Sequence, residues 1–506
     1  MRRPTTSGRD GGERTSPTPL GSGASGTRIT NKPLQQRHSS LGTGVPRWSS
    51  GLQTNTVVPH EEYDLREATR AHGRSFLGML RIRLRYLIRT RREEGFLYSA
   101  FDVMMHMPVA LIGMTLFLVI ARNLHTVHDG GYAVGALAFA YTLKISTTPI
   151  LERYCGLRLV LGGSAVLHIP AVLYLMHLSN MLATEAAASV TTFEYAAACM
   201  LAGYTLPPWP VIVHEARYNP TKTSDPEWLF AMVAWTNVEK LALYPLAAFV
   251  LVLLNSLMGI NAGFWAAILL AGLLIFVVVL IPNVLPRTPK SLPSGSDVAR
   301  ADGTAQPHVQ ETPSDSISMV LILGLMVISG CIGSIGSALL GFALNHNALS
   351  LYPLMITICL GTAVITMFPV LLGADKIVPW HGWLSSGVVL TLAALLLPTV
   401  DRISMMMIGL AIYGVALGIV VGGHKLALAH VLVRTPDTQM SFYISGAMAL
   451  GLTFGATWGG YLGSGPYYRN AFIVPIVAAC LYFCMGHLYG YLWRCRYEEQ
   501  LAPLDG

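Results

Sequence analysis

LPRTPKSLPSGSDVARADGTAQPHVQETPSDS, residues 285–316, is the stretch that organises the rest of the chain. It is rich in Pro, Ser and Asp, so it cannot build a core and reads as a flexible linker. Six long apolar runs precede it, near 97–121, 132–151, 159–182, 193–215, 228–254 and 263–284. Six follow it, near 317–342, 350–372, 383–400, 403–424, 440–462 and 470–493. Each can cross a hydrocarbon core as a helix, which takes about 20 residues. A barrel strand needs only about ten, so runs of this length predict helices. The expected fold class is an all-α membrane protein with twelve transmembrane helices in two six-helix bundles, 96–284 and 317–493.

Composition agrees. Hydrophobic residues make up 53% of the 506 residues and charged residues 12%. That is about half the charged share of a soluble domain. The mean hydropathy is +0.51. A soluble protein of this size would need more charge to cover its surface, so much of the surface is expected to face lipid. The net charge of +7 is concentrated, with 17 of the 34 Lys and Arg in the first 92 residues. The basic balance therefore belongs to a tail and points to no nucleic-acid partner. The seven Cys show no CxxC or Cys/His ligand spacing. Neither a disulfide framework nor a metal site is expected, and no cofactor.

Residues 1–72 are low in apolar residues and rich in turn formers, and read as a disordered cytoplasmic tail. No signal peptide opens the chain, so the first helix is expected to act as its own insertion signal. Residues 73–95 differ. In GRSFLGMLRIRLRYLIRTRRE (73–93), Leu77, Leu80, Leu84 and Leu87 share one helical face, and Arg74, Arg81, Arg85, Arg89 and Arg92 run beside it. That is the pattern of a helix lying against anionic lipid headgroups. A basic juxtamembrane stretch with no fixed structure is the alternative. If the N-terminus lies inside, the inner loops and the tail at 494–506 carry eleven Lys and Arg and the outer loops three. The positive-inside rule then predicts a multi-pass protein of the cytoplasmic membrane with both termini cytoplasmic.

Charge inside a membrane helix is costly, about 2.5–3.5 kcal/mol at the centre on insertion scales. Each such residue needs a partner or a wet cavity. Helix 1 carries Asp102 and, one turn later, His106; helix 2 carries Lys144 at a depth matching Asp102; helix 5 carries Glu239 and Lys240. Asp102 and Lys144 invite an ion pair, structural or functional. Glu239 is the candidate protonatable group, and a fixed ion pair on helix 5 is the alternative. In the second half, His424-Lys425 falls at the inner end of helix 10 on this reading. Tyr141, Tyr204, Trp209 and Tyr413 are candidate linings of an amphipathic cavity, although most membrane aromatics are belt or core residues.

Glu152-Arg153 follows the second run and Asp375-Lys376 the eighth, the equivalent place after the linker. An acid–base dipeptide at matched positions suggests a duplicated six-helix unit. Together with the six-plus-six pattern, it makes residues 95–493 resemble the major facilitator superfamily. The family pattern between helices 2 and 3 is GxxxDRxGRR, and this chain reads TPILERYCGLR (148–158). Glu152 stands for the family Asp and Arg153 for its Arg. Gly156 comes one residue late and Thr148 replaces the first Gly. Glu152, Arg153, Gly156, Arg158, Asp375 and Lys376 are thus the candidate inner-loop gating motif. YSAFDVMMHMPVALIG (98–113), GYTLPPWPVIVHEARY (203–218) and SGAMALGLTFGATWGGYLG (445–463) are similar to segments of actinobacterial-type members.

The resemblance implies two bundles rocking about a central cavity, lined by helices 1, 4, 7 and 10 and flanked by helices 2, 5, 8 and 11. It also implies secondary active transport by alternating access. The apolar and aromatic lining suits a small, amphipathic solute, and proton-coupled efflux by an antiporter is the expected mode, with uptake as the alternative. The partners expected are that solute, protons and the lipid headgroups. No Walker A, HExxH or GxSxG sequence is present, which argues against an enzyme. A permease energised by a separate ATPase, and a receptor or assembly protein that kept the transporter fold, stay open at this point.

Overall fold

The structure is a computed structural model that describes residues 96–184, 190–208, 226–280, 315–372, 379–434 and 438–501. The tail and basic segment before 96, Trp209, Asp375, Lys376 and most of the linker lie outside the described residues.

The described residues form twelve α-helices. They are α1 Phe96–Leu124, α2 His128–Cys155, α3 Leu157–Leu182, α4 Thr192–Thr205, α5 Pro226–Met258 and α6 Ala262–Leu280. After the linker come α7 Asp315–Asn345, α8 Tyr352–Leu372, α9 Pro379–Leu396, α10 Ile403–Arg434, α11 Thr438–Leu462 and α12 Ile473–Leu501. Ten are long and apolar enough to cross a membrane. The exceptions are α4, with 14 described residues, and α11. In α11 the glycines at 446, 451, 455, 459 and 460 dilute the apolar content. A helix satisfies its backbone internally, which is why apolar runs in lipid take this form.

Where the helix ends differ from the sequence reading, the cause is local. Of the run at 193–215, the helix described ends at Thr205, where Leu206 precedes Pro207-Pro208 and turns extended at φ −56°, ψ 137°. The start of α4 is fixed by Thr191, whose side chain accepts the Glu194 N–H at 3.1 Å. The helix expected to stop at 424 runs on to Arg434, which moves His424 and Lys425 from its end into its interior. Likewise α12 continues to Leu501, past the expected boundary at 493.

The packing repeats. Among the first six helices, α1 packs on α2, α5 and α6, α2 on α4, and α3 on α4 and α6. Among the last six, α7 packs on α8, α11 and α12, α8 on α10, and α9 on α10 and α12. These pairs recur six helices later, as a duplicated unit requires, whereas the lighter α1–α3, α2–α3 and α7–α10 contacts have no counterpart of like extent among the described residues. Between the two sets the main contacts are α2 with α11 and α5 with α8, which exchange under the same shift. The α2–α11 approach depends on missing side chains: a Cβ on Gly460 would lie 2.8 Å from the Gly131 Cα. Small residues of this kind let membrane helices pack backbone to backbone. The outside of the protein is apolar, with Leu269 at 74% and Ile365 at 73% exposure. A belt of such residues is unfavourable in water and suited to lipid.

Candidate functional site

The loop motif comes first in the chain. Between α2 and α3 the turn is made by Gly156 alone, at φ 77°, ψ 152°, a conformation that favours glycine. Its N–H donates to the Glu152 carbonyl at 2.8 Å. Glu152 is half-buried, while Arg153 and Arg158 are exposed on the two sides of the turn. The displaced glycine of the motif is therefore the hinge of the α2–α3 reversal.

Deeper in the first set, Lys144 is buried on α2. Its ammonium lies 5.3 Å from the centre of the Tyr204 ring on α4, within cation–π range. The Tyr204 hydroxyl is 3.3 Å from Thr147 Oγ1. Thr147 and Thr148 donate to the Lys144 carbonyl at 3.1 and 2.7 Å, which ties their hydroxyls to their own helix. One residue beyond Tyr204, the Thr205 hydroxyl donates to the Leu201 carbonyl at 2.9 Å. His168 Nδ1, 3.1 Å away on α3, must then donate to Thr205 Oγ1. The Asp102 side chain lies outside the described residues, so the neighbour seen for Lys144 is the Tyr204 ring. His106 is half-buried on α1, and Tyr141 half-buried on α2. Tyr413 is wholly buried on α10, beside Cys331 and Cys359, and lines no open surface in this conformation.

Glu239 and Lys240 are half-buried on α5, and both engage in contacts. The sequence reading missed what stands across from them. Lys425 on α10 is buried, with its Nζ 3.8 Å from Met448 Sδ on α11. It is within electrostatic reach of Lys240, which belongs to the other set of helices. The signal was available in HKLALAHVLV (424–433), where the apolar pattern resumes after the charge and so argues for a helix that continues.

Next to it, His424 is sealed into an aromatic cluster. Its Nε2 donates to the Leu321 carbonyl on α7 at 2.8 Å. Its ring meets Trp383 of α9 edge-on, 4.8 Å between centres. Trp383 stacks on Tyr482 of α12 at 5.1 Å and donates from Nε1 to the Tyr482 carbonyl at 3.0 Å. Four helices meet in this cluster. The cluster needs space that glycines provide: a Cβ on Gly324 would lie 2.7 Å from His424 Cε1, and one on Gly486 2.7 Å from Trp383 Cδ1.

A separate cleft of about 440 Å³ opens at the far end of the second set, lined by residues that include His346, Tyr467 and Asn470. There Arg469 is ion-paired with Asp401. Among the described residues, no group of three His, Cys, Asp or Glu could hold a metal ion.

No family model matches the chain, and no curated protein is similar to it in sequence. Solved structures do match. The nucleoside transporter NupG aligns over 79% of this chain and 99% of its own, with a TM-score of 0.53 and 10% identity. A single-site mutant of NupG aligns over 78% of this chain and 98% of its own, with a TM-score of 0.54 and 10% identity. At that identity the likeness is one of fold. The described residues of this chain share the all-helical fold of the nucleoside transporter NupG.

Proposed function

We propose that the chain is a secondary active transporter that moves a small, amphipathic solute across the cytoplasmic membrane by alternating access. The observation that carries this reading is the repeated packing of the two sets of six helices, joined across α2–α11 and α5–α8. Two like units meeting along a seam can rock about a site between them. The twelve helices cross the membrane as two bundles, with both termini and the 285–316 linker cytoplasmic. A Cys introduced at Ser294 should resist an impermeant thiol reagent added outside intact cells; rapid labelling there would invert the topology.

The coupling ion is the proton and the direction is efflux. No Walker A sequence occurs in the chain, so uphill movement draws on an ion gradient or on a separate ATPase, and the charges inside the helices favour the gradient. Glu239 is the exchanging group, because an ionisable side chain well inside a membrane helix is a functional candidate by default. Lys240, Asp102 and His106 set its proton affinity. Glu239→Gln mimics the protonated carboxyl. In proteoliposomes it should abolish accumulation driven by a proton gradient while leaving solute exchange largely intact. Accumulation equal to wild type would make Glu239 a structural charge only.

A further inference from the structure

Three segments of the second set meet around the cleft of about 440 Å³: Asn345-His346 at the end of α7, Asp401 before α10, and the short helical turn Gly465–Phe472 before α12. The volume lies in the range of small-molecule sites, about 300–1,000 Å³. The turn kinks at Tyr467, at φ −99°, ψ 41°, and two successive tyrosines take opposite places. Tyr468 is 8% exposed and Tyr467 71%. Tyr468 is wedged against the Phe342 and His346 rings, with centres 6.1 and 5.9 Å away. It therefore forms a fixed floor, while Tyr467 stays open beside the cleft.

The polar groups around this floor are balanced. Arg469 is ion-paired with Asp401, and its guanidinium lies 6.0 Å from the centre of the Tyr468 ring. Opposite charges in contact cancel at a distance, so the pair draws neither anions nor cations from afar. His346 Nδ1 lies 2.9 Å from the Phe342 carbonyl, which only accepts, so Nδ1 donates. In the neutral imidazole Nε2 is then an acceptor. Asn345 and Asn470 each add an amide to the lining, with two donors and an acceptor. Donors and acceptors are thus mixed around the cleft without excess charge, beside an exposed aromatic ring. An anion would have to take Arg469 from Asp401, and a cation would face Arg469. The complement of this lining is a neutral molecule dense in hydroxyls, each of which both donates and accepts, with a C–H face for Tyr467. A sugar ring has that chemistry.

We propose that the cleft is a binding site for a neutral glycosyl group. The Asp401–Arg469 pair and the Asn470 amide hold ring hydroxyls, and Tyr467 covers the C–H face of the sugar. The site lies apart from Glu239, Lys240 and the other charges on which the transport reading draws, and it stands or falls independently of that reading. All three of its segments belong to the second set, so it is complete without movement between the sets. On the topology proposed above, it opens to the outside of the cell.

The test uses the purified full chain in lipid nanodiscs. Saturation-transfer NMR is recorded with methyl β-glucopyranoside, methyl β-galactopyranoside and methyl β-ribofuranoside, with empty nanodiscs as the blank. At least one glycoside should receive saturation from the protein, and the signal should level off at millimolar concentrations. Inorganic phosphate and choline, added as competitors at constant ionic strength, should not displace it. Asn470→Leu and Tyr467→Ala should each weaken binding about three- to tenfold, the effect of one lost polar or ring contact. Both side chains are exposed, so both variants should unfold at the wild-type temperature. Should one of them not purify as a single species, Asp401→Asn takes its place and must show the same weakening. The site is overturned if no glycoside exceeds the blank, if phosphate or choline displaces the glycoside, or if either variant binds as wild type does. The last result would put the sugar elsewhere on the protein.

Discussion

The first six helices and the last six share most of their packing pairs, yet their interiors are built from different chemistry. In α1–α6 the polar groups around Lys144 are partly open. Lys144 rests on an aromatic face, Tyr204 is 38% exposed, and α4 stops at Thr205 ahead of two prolines. In α7–α12 the equivalent depth is filled by Trp383, His424, Tyr482 and Tyr489, all at about the limit of full burial, and α10 runs unbroken for 32 residues. One set has a buried lysine beside a short α4. The other has a stiff wall that presents a single lysine to α11. A duplicated architecture therefore does not imply duplicated roles: the packing is inherited by both sets, and the polar chemistry is divided between them.

The contrast can be broken at its stiffest point. Trp383→Ala should cost about 3–5 kcal/mol, as truncation of a large buried aromatic does. Thermal unfolding of the purified protein would read this. A loss below about 1 kcal/mol would mean that the cluster of the second set is no stiffer than the first. The seam itself comes next. Gly460→Ala places a methyl against the Gly131 backbone, and overpacking of that kind costs about 1–3 kcal/mol. Gly446→Ala, on the same helix with nothing within 4 Å of the added carbon, is the control and should be neutral or stabilising. Equal effects at the two positions would remove the close α2–α11 approach as a determinant. The smallest effect is expected in the first set. Lys144→Met keeps the stem and gives up a cation–π contact, so its cost should stay below about 1 kcal/mol. A loss of about 3–5 kcal/mol would instead report an ion pair with Asp102, whose carboxylate would be left buried and alone.

Helix number and order were legible because a membrane span must satisfy its own backbone and stay apolar for its full length. Those demands write themselves into local composition, so all twelve helices could be read from the runs. Ends were less legible. A charged dipeptide such as His424-Lys425 looks the same at a membrane surface and in a helix interior. The Pro207-Pro208 stop of α4 was visible in the residues but overridden by the apolar residues that follow. The polar site residues divide along the same line. Glu239 and Lys240 stood out as charges in an apolar run, whereas Lys425 did not, because its helix was taken to end before it.

By itself, then, the sequence determined that this is a helical membrane protein and where its helices lie along the chain. Those properties depend on neighbours within about 20 residues. Only the tertiary structure decided which helices touch. Gly131 meets Gly460, Lys144 meets Tyr204, and Lys425 feels Lys240 although 185 positions separate their numbers. Contacts of that kind depend on which face each helix turns to which neighbour. Nearly uniform hydrophobicity around an apolar helix carries little record of that choice; it is made by small residues that admit a partner's backbone and by buried charges that need company.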